Sequence, residues 1–431
     1  MSKQQFNSQL MDFVAKSPTP FHAVDQMAQQ LTAAGFEQLL ESDDWQLRAG
    51  GRYFISRNGA SIVAFCVGSD DLLQNGLRII GAHTDSPCLK VKPNPELYNK
   101  KYFQLGVEVY GGVLLNPWFD RDLSLAGRVT YKLQNGQLKN ALIDYKKPIA
   151  VIPSLAIHLD REANNSHSVN PQTDIPPILM RAKEENLSFR EMLLEQLPAA
   201  DGEACHVLDY DLSFYDVQPP ALVGLNEEFI ASARLDNLLS CYVAMRALIK
   251  ADGKQSCVMV CNDHEEVGSR SAIGAQGPML KSVLHRLVGS DSQLTRVLDR
   301  SMLISVDNAH GIHPNFASRH DGNHGPILND GPVIKRNANQ SYATNSETSS
   351  LFRYFAEAAE VPVQNFVVRT DMACGSTIGP ITASQLGVNT LDVGVPTFAM
   401  HSIRELAGSD DAFYLFKALQ FFNCVSTLQI G

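Results

Sequence analysis

The chain has 431 residues, 44% of them hydrophobic and 19% charged, with a formal net charge of -10. A single core stops growing at about 250–300 residues, so two domains or lobes are expected. The acidic balance argues against nucleic acid or an anionic membrane as partner, since both need a basic footprint, and no apolar run reaches the ~18 residues of a membrane span.

In chain order, Phe6 to Gly35 predicts two helices, with Thr19-Pro20 starting the second and Gly35 stopping it. Ser61 to Val67 and Leu77 to Ala82 read as strands, the second running into His83-Thr84-Asp85-Ser86-Pro87. From about Val91 the texture changes to short strands at Tyr102–Tyr110, Gly127–Leu133 and Ala141–Tyr145, separated by Asn-Gly and Gly-Gly turn signals. A loop-rich stretch, Asn164 to Pro177, precedes a helix from Phe189 to Leu197, and Gln218-Pro219-Pro220 closes the region. Beyond it come a helix from Asp236 to Ala251 and strands at Ser256–Cys261 and Met302–Asp307. A helix at Ser346–Ala359, strands at Val363–Arg369 and Val388–Val393, and a helix at Asp410–Leu428 complete the chain.

This pattern predicts an α/β protein: a catalytic domain with a largely parallel central sheet, formed by 1–91 plus 234–431, and interrupted by a β-rich insert at 92–233. The opening Met1-Ser2-Lys3-Gln4-Gln5-Phe6 is polar and lacks a signal peptide's apolar core. Eight cysteines are scattered without a CxxC pair, as expected of reduced core thiols in a cytoplasmic protein rather than a disulfide framework or thiolate zinc site.

The chemistry concentrates at predicted strand ends. Asp263-His264-Glu265-Glu266-Val267-Gly268-Ser269 follows an apolar strand. Two adjacent carboxylates there need a compensating cation, or one must stay protonated. In His83-Thr84-Asp85 the histidine can ligate a metal while the aspartate fixes its tautomer. Arg234-Leu235-Asp236-Asn237 stands at a helix start, Asp307 ends the Met302 strand, and His401 follows Val388–Val393 among small and apolar residues. Taken singly, each has an ordinary explanation: a capping acid, a turn histidine, a core histidine. Together, His83, Asp236, Glu266, Asp307 and His401 make one set outside the carboxyl ends of strands, where open α/β sheets bind ligands. Two imidazoles with three carboxylates suit a two-metal hydrolase using zinc, or cobalt or manganese.

With these motifs in order along the chain, the sequence resembles the aspartyl aminopeptidase family of zinc exopeptidases. Leu155-Ala156-Ile157-His158-Leu159, Lys335 with Asn339-Gln340, and Met400-His401-Ser402 extend the match across essentially the whole length. The resemblance implies a three-layer catalytic domain and one metal on His83 and Asp307. A second would sit on Glu266 and His401, with Asp236 bridging and Glu265 as general base. It makes the insert a dimerisation domain within a tetrahedral shell of twelve subunits. It also suggests that His158 reaches a neighbouring subunit's active site to polarise the scissile carbonyl, a metal-associated role being the alternative. Substrates would be peptides with an amino-terminal Asp or Glu. A protein this acidic needs a local cation to attract them; the resemblance points to Lys335, with Tyr342 and Gly375-Ser376-Thr377 lining the pocket. Two alternatives stay open from the residues: a related deacylase or carboxypeptidase acting on N-acyl amino acids, and a non-enzymatic shell-forming scaffold.

Overall fold

A computed structural model describes residues 1–182, 186–197 and 204–428. The chain forms two compact units. The first comprises Met1–Asp85, Pro220–Met400 and Glu405–Gly431; the second comprises Ser86–Pro219 and His401–Arg404.

The first unit is built on a nine-stranded sheet. Across it run Glu37–Gln38, Arg52–Arg57, Ser61–Cys66, Ser256–Asn262, Leu77–His83, Met302–Val306, Asn389–Gly394, Val333–Arg336 and Gln364–Val367. The four strands from Ser256–Asn262 to Asn389–Gly394 are mutually parallel. Ser61–Cys66 and Val333–Arg336 flank them antiparallel.

The central strands are buried on both faces, and their residues alternate between two cores. Cys257, Met259 and Cys261 join one, Val258 and Val260 the other; Ile80 and Ala82 oppose Leu77 and Ile79 in the same way. The first core is closed by helices Lys3–Ala15, Pro20–Ala33, Leu235–Ile249, Ser346–Ala358 and Asp411–Cys424, the second by Met279–Val288 and Asp291–Asp299. Helix–sheet–helix layering follows directly from continuous apolar strands that must be covered twice. A smaller five-stranded sheet in this unit pairs Ala221–Val223, Phe229–Ser232, Glu405–Gly408, Pro396–Phe398 and Ala309–His310.

The second unit holds a six-stranded sheet in the order Leu138–Asp144, Leu123–Leu133, Ala204–Asp216, Cys88–Asn99, Tyr102–Tyr110, Ile178–Arg181. Every neighbouring pair is antiparallel. Its core gathers Phe103, Trp118, Tyr131, Phe189 and Phe214.

Helix starts follow their sequence signals closely. Pro20 opens its helix behind Thr19, and the helix ends at Ala33, before Gly35. Among the described residues, four α-helices are not predicted from the sequence: Leu72–Asn75, Met279–Val288, Asp291–Asp299 and Ile378–Leu386. The units also divide earlier than 92 and 233. Cys88–Asn99 already pairs with Tyr102–Tyr110 in the second sheet, and Phe229–Ser232 pairs with Glu405–Gly408 in the first unit.

Candidate metal centre

Parallel strands deliver their carboxyl ends to one edge of the first unit. His83 ends Leu77–His83, Asp263 follows Ser256–Asn262, and Asp307 follows Met302–Val306. Single ligand atoms from His83, Asp236 and Asp307 lie within 4.8 Å of one another, as do those from His83, Glu265 and Glu266.

His83 is almost fully buried and is the hub. Its Nε2 stands 3.5 Å from Asp236 Oδ1, 3.5 Å from Asp307 Oδ1 and 4.0 Å from Glu265 Oε2. On the other side of the ring, Nδ1 lies 3.1 Å from the Asp85 carbonyl oxygen and 3.4 Å from Asp85 Oδ1. A proton on Nδ1 is therefore held by Asp85, which turns the Nε2 lone pair towards the acids.

Asp85 does a second job. Its Oδ1 accepts the Glu265 amide N–H at 3.1 Å and its Oδ2 accepts that of Glu266 at 3.0 Å. The two amides open a short 3₁₀ turn, Glu265–Val267, and have no partner within it. One carboxylate thus fixes both the imidazole and the Glu-Glu pair. His264, just before the turn, takes a left-handed φ of 65°, a strained value for a non-glycine residue of the kind that gathers at functional sites.

Asp236 reaches the cluster from the helix Leu235–Ile249, buried along nearly its whole length, whose φ/ψ leave the helical region at Asp236 and Asn237. The departure lets Asp236 face the strand ends instead of capping the helix. Its amide donates to Glu405 Oε2 at 2.9 Å, and the Asn237 side chain donates to the Val306 carbonyl oxygen at 2.8 Å. Cys241, one turn on, donates its thiol to the His83 carbonyl oxygen at 2.9 Å; burial pushes that thiol well up, so it stays a donor.

The electrostatics match this crowding. Glu265 is pushed up to about 7, first by burial, with His83 opposing and Asp307, Asp85 and Asp236 adding to the rise. Glu266 lies well above the ordinary carboxylate range through burial and then Asp236. Burial alone would lower His83, but Asp236, Asp307 and Asp85 outweigh it and raise it well above its usual value. Five acids around one imidazole form an oxygen-rich donor set that fits a divalent cation, because only added positive charge relieves all of them together.

Beside the cluster, Lys335 is almost completely buried, which sets aside a solvated surface role. Its ammonium donates to the Asn308 carbonyl oxygen at 3.2 Å and lies 3.5 Å from Asp307 Oδ2. The Tyr342 ring lies beneath it, 5.1 Å from nitrogen to ring centroid. A cavity of about 290 Å³ is lined by His310, His313, Phe366, Phe398 and Met400 among others.

Two predicted residues belong to the second unit. His158 sits in an exposed turn with Leu155, Ile157 and Leu159 exposed around it. His401 begins the His401–Arg404 segment, at a φ of 67°, and its Nδ1 lies 3.0 Å from the Gly112 carbonyl oxygen. That contact selects Nε2 as the acceptor nitrogen, as Asp85 does for His83.

Comparison with known proteins agrees in kind. The family model "Aminopeptidase I zinc metalloprotease (M18)" matches residues 13–423. The chain belongs to the M18 family of aminopeptidases. A relative in Pseudomonas putida strain F1, named a probable M18 family aminopeptidase 2, is 60% identical over 423 residues, covering 97% of this chain and 98% of its own. A chain of the cryo-EM structure of the Ape4 and Nbr1 complex superposes with a TM-score of 0.93 at 40% identity, covering 97% of this chain and 85% of that one. The S. cerevesiae mApe1 dodecamer gives a TM-score of 0.83 at 29% identity, covering 96% and 95%. The M18 chain is thus a metalloaminopeptidase with a mixed α/β fold, and the deacylase and scaffold alternatives fall away.

Three residues of the M18 site escaped the sequence: Glu405, Asn237 and Cys241. Each acts through a backbone contact to a distant segment, which no local spacing announces. Asn237, adjacent to Asp236, carried the only visible hint.

Proposed function

We propose that this M18 aminopeptidase removes an amino-terminal Asp or Glu from peptides, using two divalent ions, zinc first among them. His83 and Asp307 would hold one ion, Glu266 and His401 the other, and Asp236 would serve both. The observation that carries this reading is the seating of Glu265: its carboxylate is 4.0 Å from the His83 ring, while its backbone is pinned by Asp85. A glutamate held beside the ligands yet near a pKa of about 7 suits a general base better than a structural ligand.

When bound, such ions lower the pKa of a water and polarise a carbonyl. The chain's own residues do the rest. Glu265 takes the proton from the attacking water and passes it to the leaving amine nitrogen. Asp85 keeps Glu265 and His83 in register. Lys335 pairs with the substrate's side-chain carboxylate, its ammonium steadied by Tyr342 and the Asn308 carbonyl. In a molecule of net charge -10, this buried cation supplies the local attraction that the overall field opposes.

His158 serves from a neighbouring copy, helping to polarise the scissile carbonyl. Its exposed setting among Leu155, Ile157 and Leu159 supports self-association, as dimers within a dodecamer like that named for the yeast relative. The eight cysteines are all free thiols, in keeping with work in the cytoplasm. The deciding experiment measures metal per chain together with hydrolysis of Asp-, Glu- and Ala-arylamides, before and after chelation and re-metallation. Two ions per chain and a restored preference for Asp and Glu are expected. One ion per chain overturns the two-metal reading, and equal rates on all three substrates overturn the acidic preference.

A further inference from the structure

Lys335 does not hold its place alone. Asp392, on the adjacent antiparallel strand Asn389–Gly394, is fully buried and touches two segments around the lysine. Its Oδ2 accepts the Ala343 amide N–H at 2.7 Å, next to Tyr342. Its Oδ1 accepts the Thr377 hydroxyl at 2.6 Å. Its own amide donates to Thr344 Oγ1 at 2.9 Å. Thr377 in turn caps the helix Ile378–Leu386, its Oγ accepting the Gly379 amide at 3.2 Å.

The fit at this carboxylate is tight. A β-carbon on Gly379 would lie 2.4 Å from Asp392 Oδ1, so the helix start approaches the acid only because residue 379 is glycine. Burial raises the Asp392 carboxyl above its usual value, and the Lys335 charge, the Thr377 hydroxyl and the Ala343 amide pull it back. A buried anion with an amide, a hydroxyl and a helix N-terminus against it is well compensated, and removing it leaves the Ala343 amide without its acceptor. The Tyr342 ring that supports the Lys335 ammonium is on the segment this acid anchors.

We infer that Asp392 is a positioning residue for substrate selection: it tethers the Tyr342–Thr344 loop and the Thr377 turn, and so sets where Lys335 presents its ammonium. Asp392 does not touch substrate. The inference rests on the reading of Lys335 as the partner of the substrate's acidic side chain, and it extends that reading to a residue one strand away.

The test compares kcat/KM on Asp- and Ala-arylamides for the metal-loaded wild type, Lys335→Ala, Asp392→Ala, Asp392→Asn and Thr377→Val. Asp392→Ala is expected to lower the Asp-to-Ala ratio at least tenfold, mainly by raising KM for the Asp substrate. Thr377→Val, which removes one tether, should lower it about threefold. Asp392→Asn keeps an acceptor for the Ala343 amide and should recover part of the ratio. If the wild type shows no preference, or Lys335→Ala keeps it, the reading of Lys335 fails and this inference with it. If Lys335→Ala loses the preference while Asp392→Ala and Thr377→Val keep it, or slow both substrates equally, only the role of Asp392 is overturned. Should Asp392→Ala not fold, Thr377→Val decides by the same criterion. An Asn variant no better than the Ala variant overturns the tether.

Discussion

Asp411 and Glu265 are both acids pushed up to about 7, each first by burial, but the groups around them differ. Asp411 is raised by burial and held down by two backbone amides, donating from Asn329 at 2.7 Å and Gly331 at 2.9 Å, with Asp410 and Asp330 adding only a smaller rise. Glu265 is raised by burial and then further by Asp307, Asp85 and Asp236, with only His83 pulling the other way. The first is a structural acid with its donors supplied by the chain. The second faces other acids, an arrangement that a fold tolerates only where a cation or a proton is to be handled. Similar acidity therefore does not mean similar purpose; the neighbours tell the two apart.

The sharpest way to break this contrast is Glu265→Gln. Turnover should fall by about 10²- to 10⁴-fold while metal content stays near wild type, since the residue moves a proton and does not anchor an ion; kcat and metal stoichiometry on one preparation check it. Asp85→Ala should come next. With the His83 tautomer and both turn amides released, metal affinity is expected to drop about 10- to 100-fold, read by competition with a chelator.

Asp411 supplies the structural counterpart. Its folded value near 7 lies above the unfolded value near 4, so its contribution to stability is complete below about pH 4 and is lost as pH rises through about 7. Asp411→Asn does not titrate. The melting midpoint of the wild type should therefore lose ground to the variant across that window, by at most about 1.4 kcal/mol per pH unit; a pH-independent difference would contradict the assignment. The smallest effect belongs to Cys241→Ala. Losing one thiol hydrogen bond to the His83 carbonyl should cost about 1 kcal/mol in stability and change metal affinity less than tenfold.

Much of this architecture was visible in the sequence because its signals are local. Apolar runs ending in His83 and Asp307 announced buried parallel strands, and Thr19-Pro20 announced a helix start. What stayed hidden is whatever depends on partners far along the chain. Asp85 looked like a companion to His83 alone, yet it also receives two amides from Glu265 and Glu266. Glu405 stands in none of the sequence motifs, and only the fold shows its contact with the Asp236 amide. Asp392 lies within the strand predicted at Val388–Val393, and only the fold shows the Ala343 and Thr377 segments closing on it. Of the undetected helices, Leu72–Asn75 has 4 residues and Met279–Val288, Asp291–Asp299 and Ile378–Leu386 have 10, 9 and 9, too short for apolar spacing to tell a helix from a buried strand.

The helix that carries Asp236 is buried along nearly its whole length, and His83 and Asp307 come from far upstream and far downstream of it. A ribosome must therefore finish most of the polypeptide before these side chains can meet. A chain that stops short of Asp307 cannot assemble this cluster.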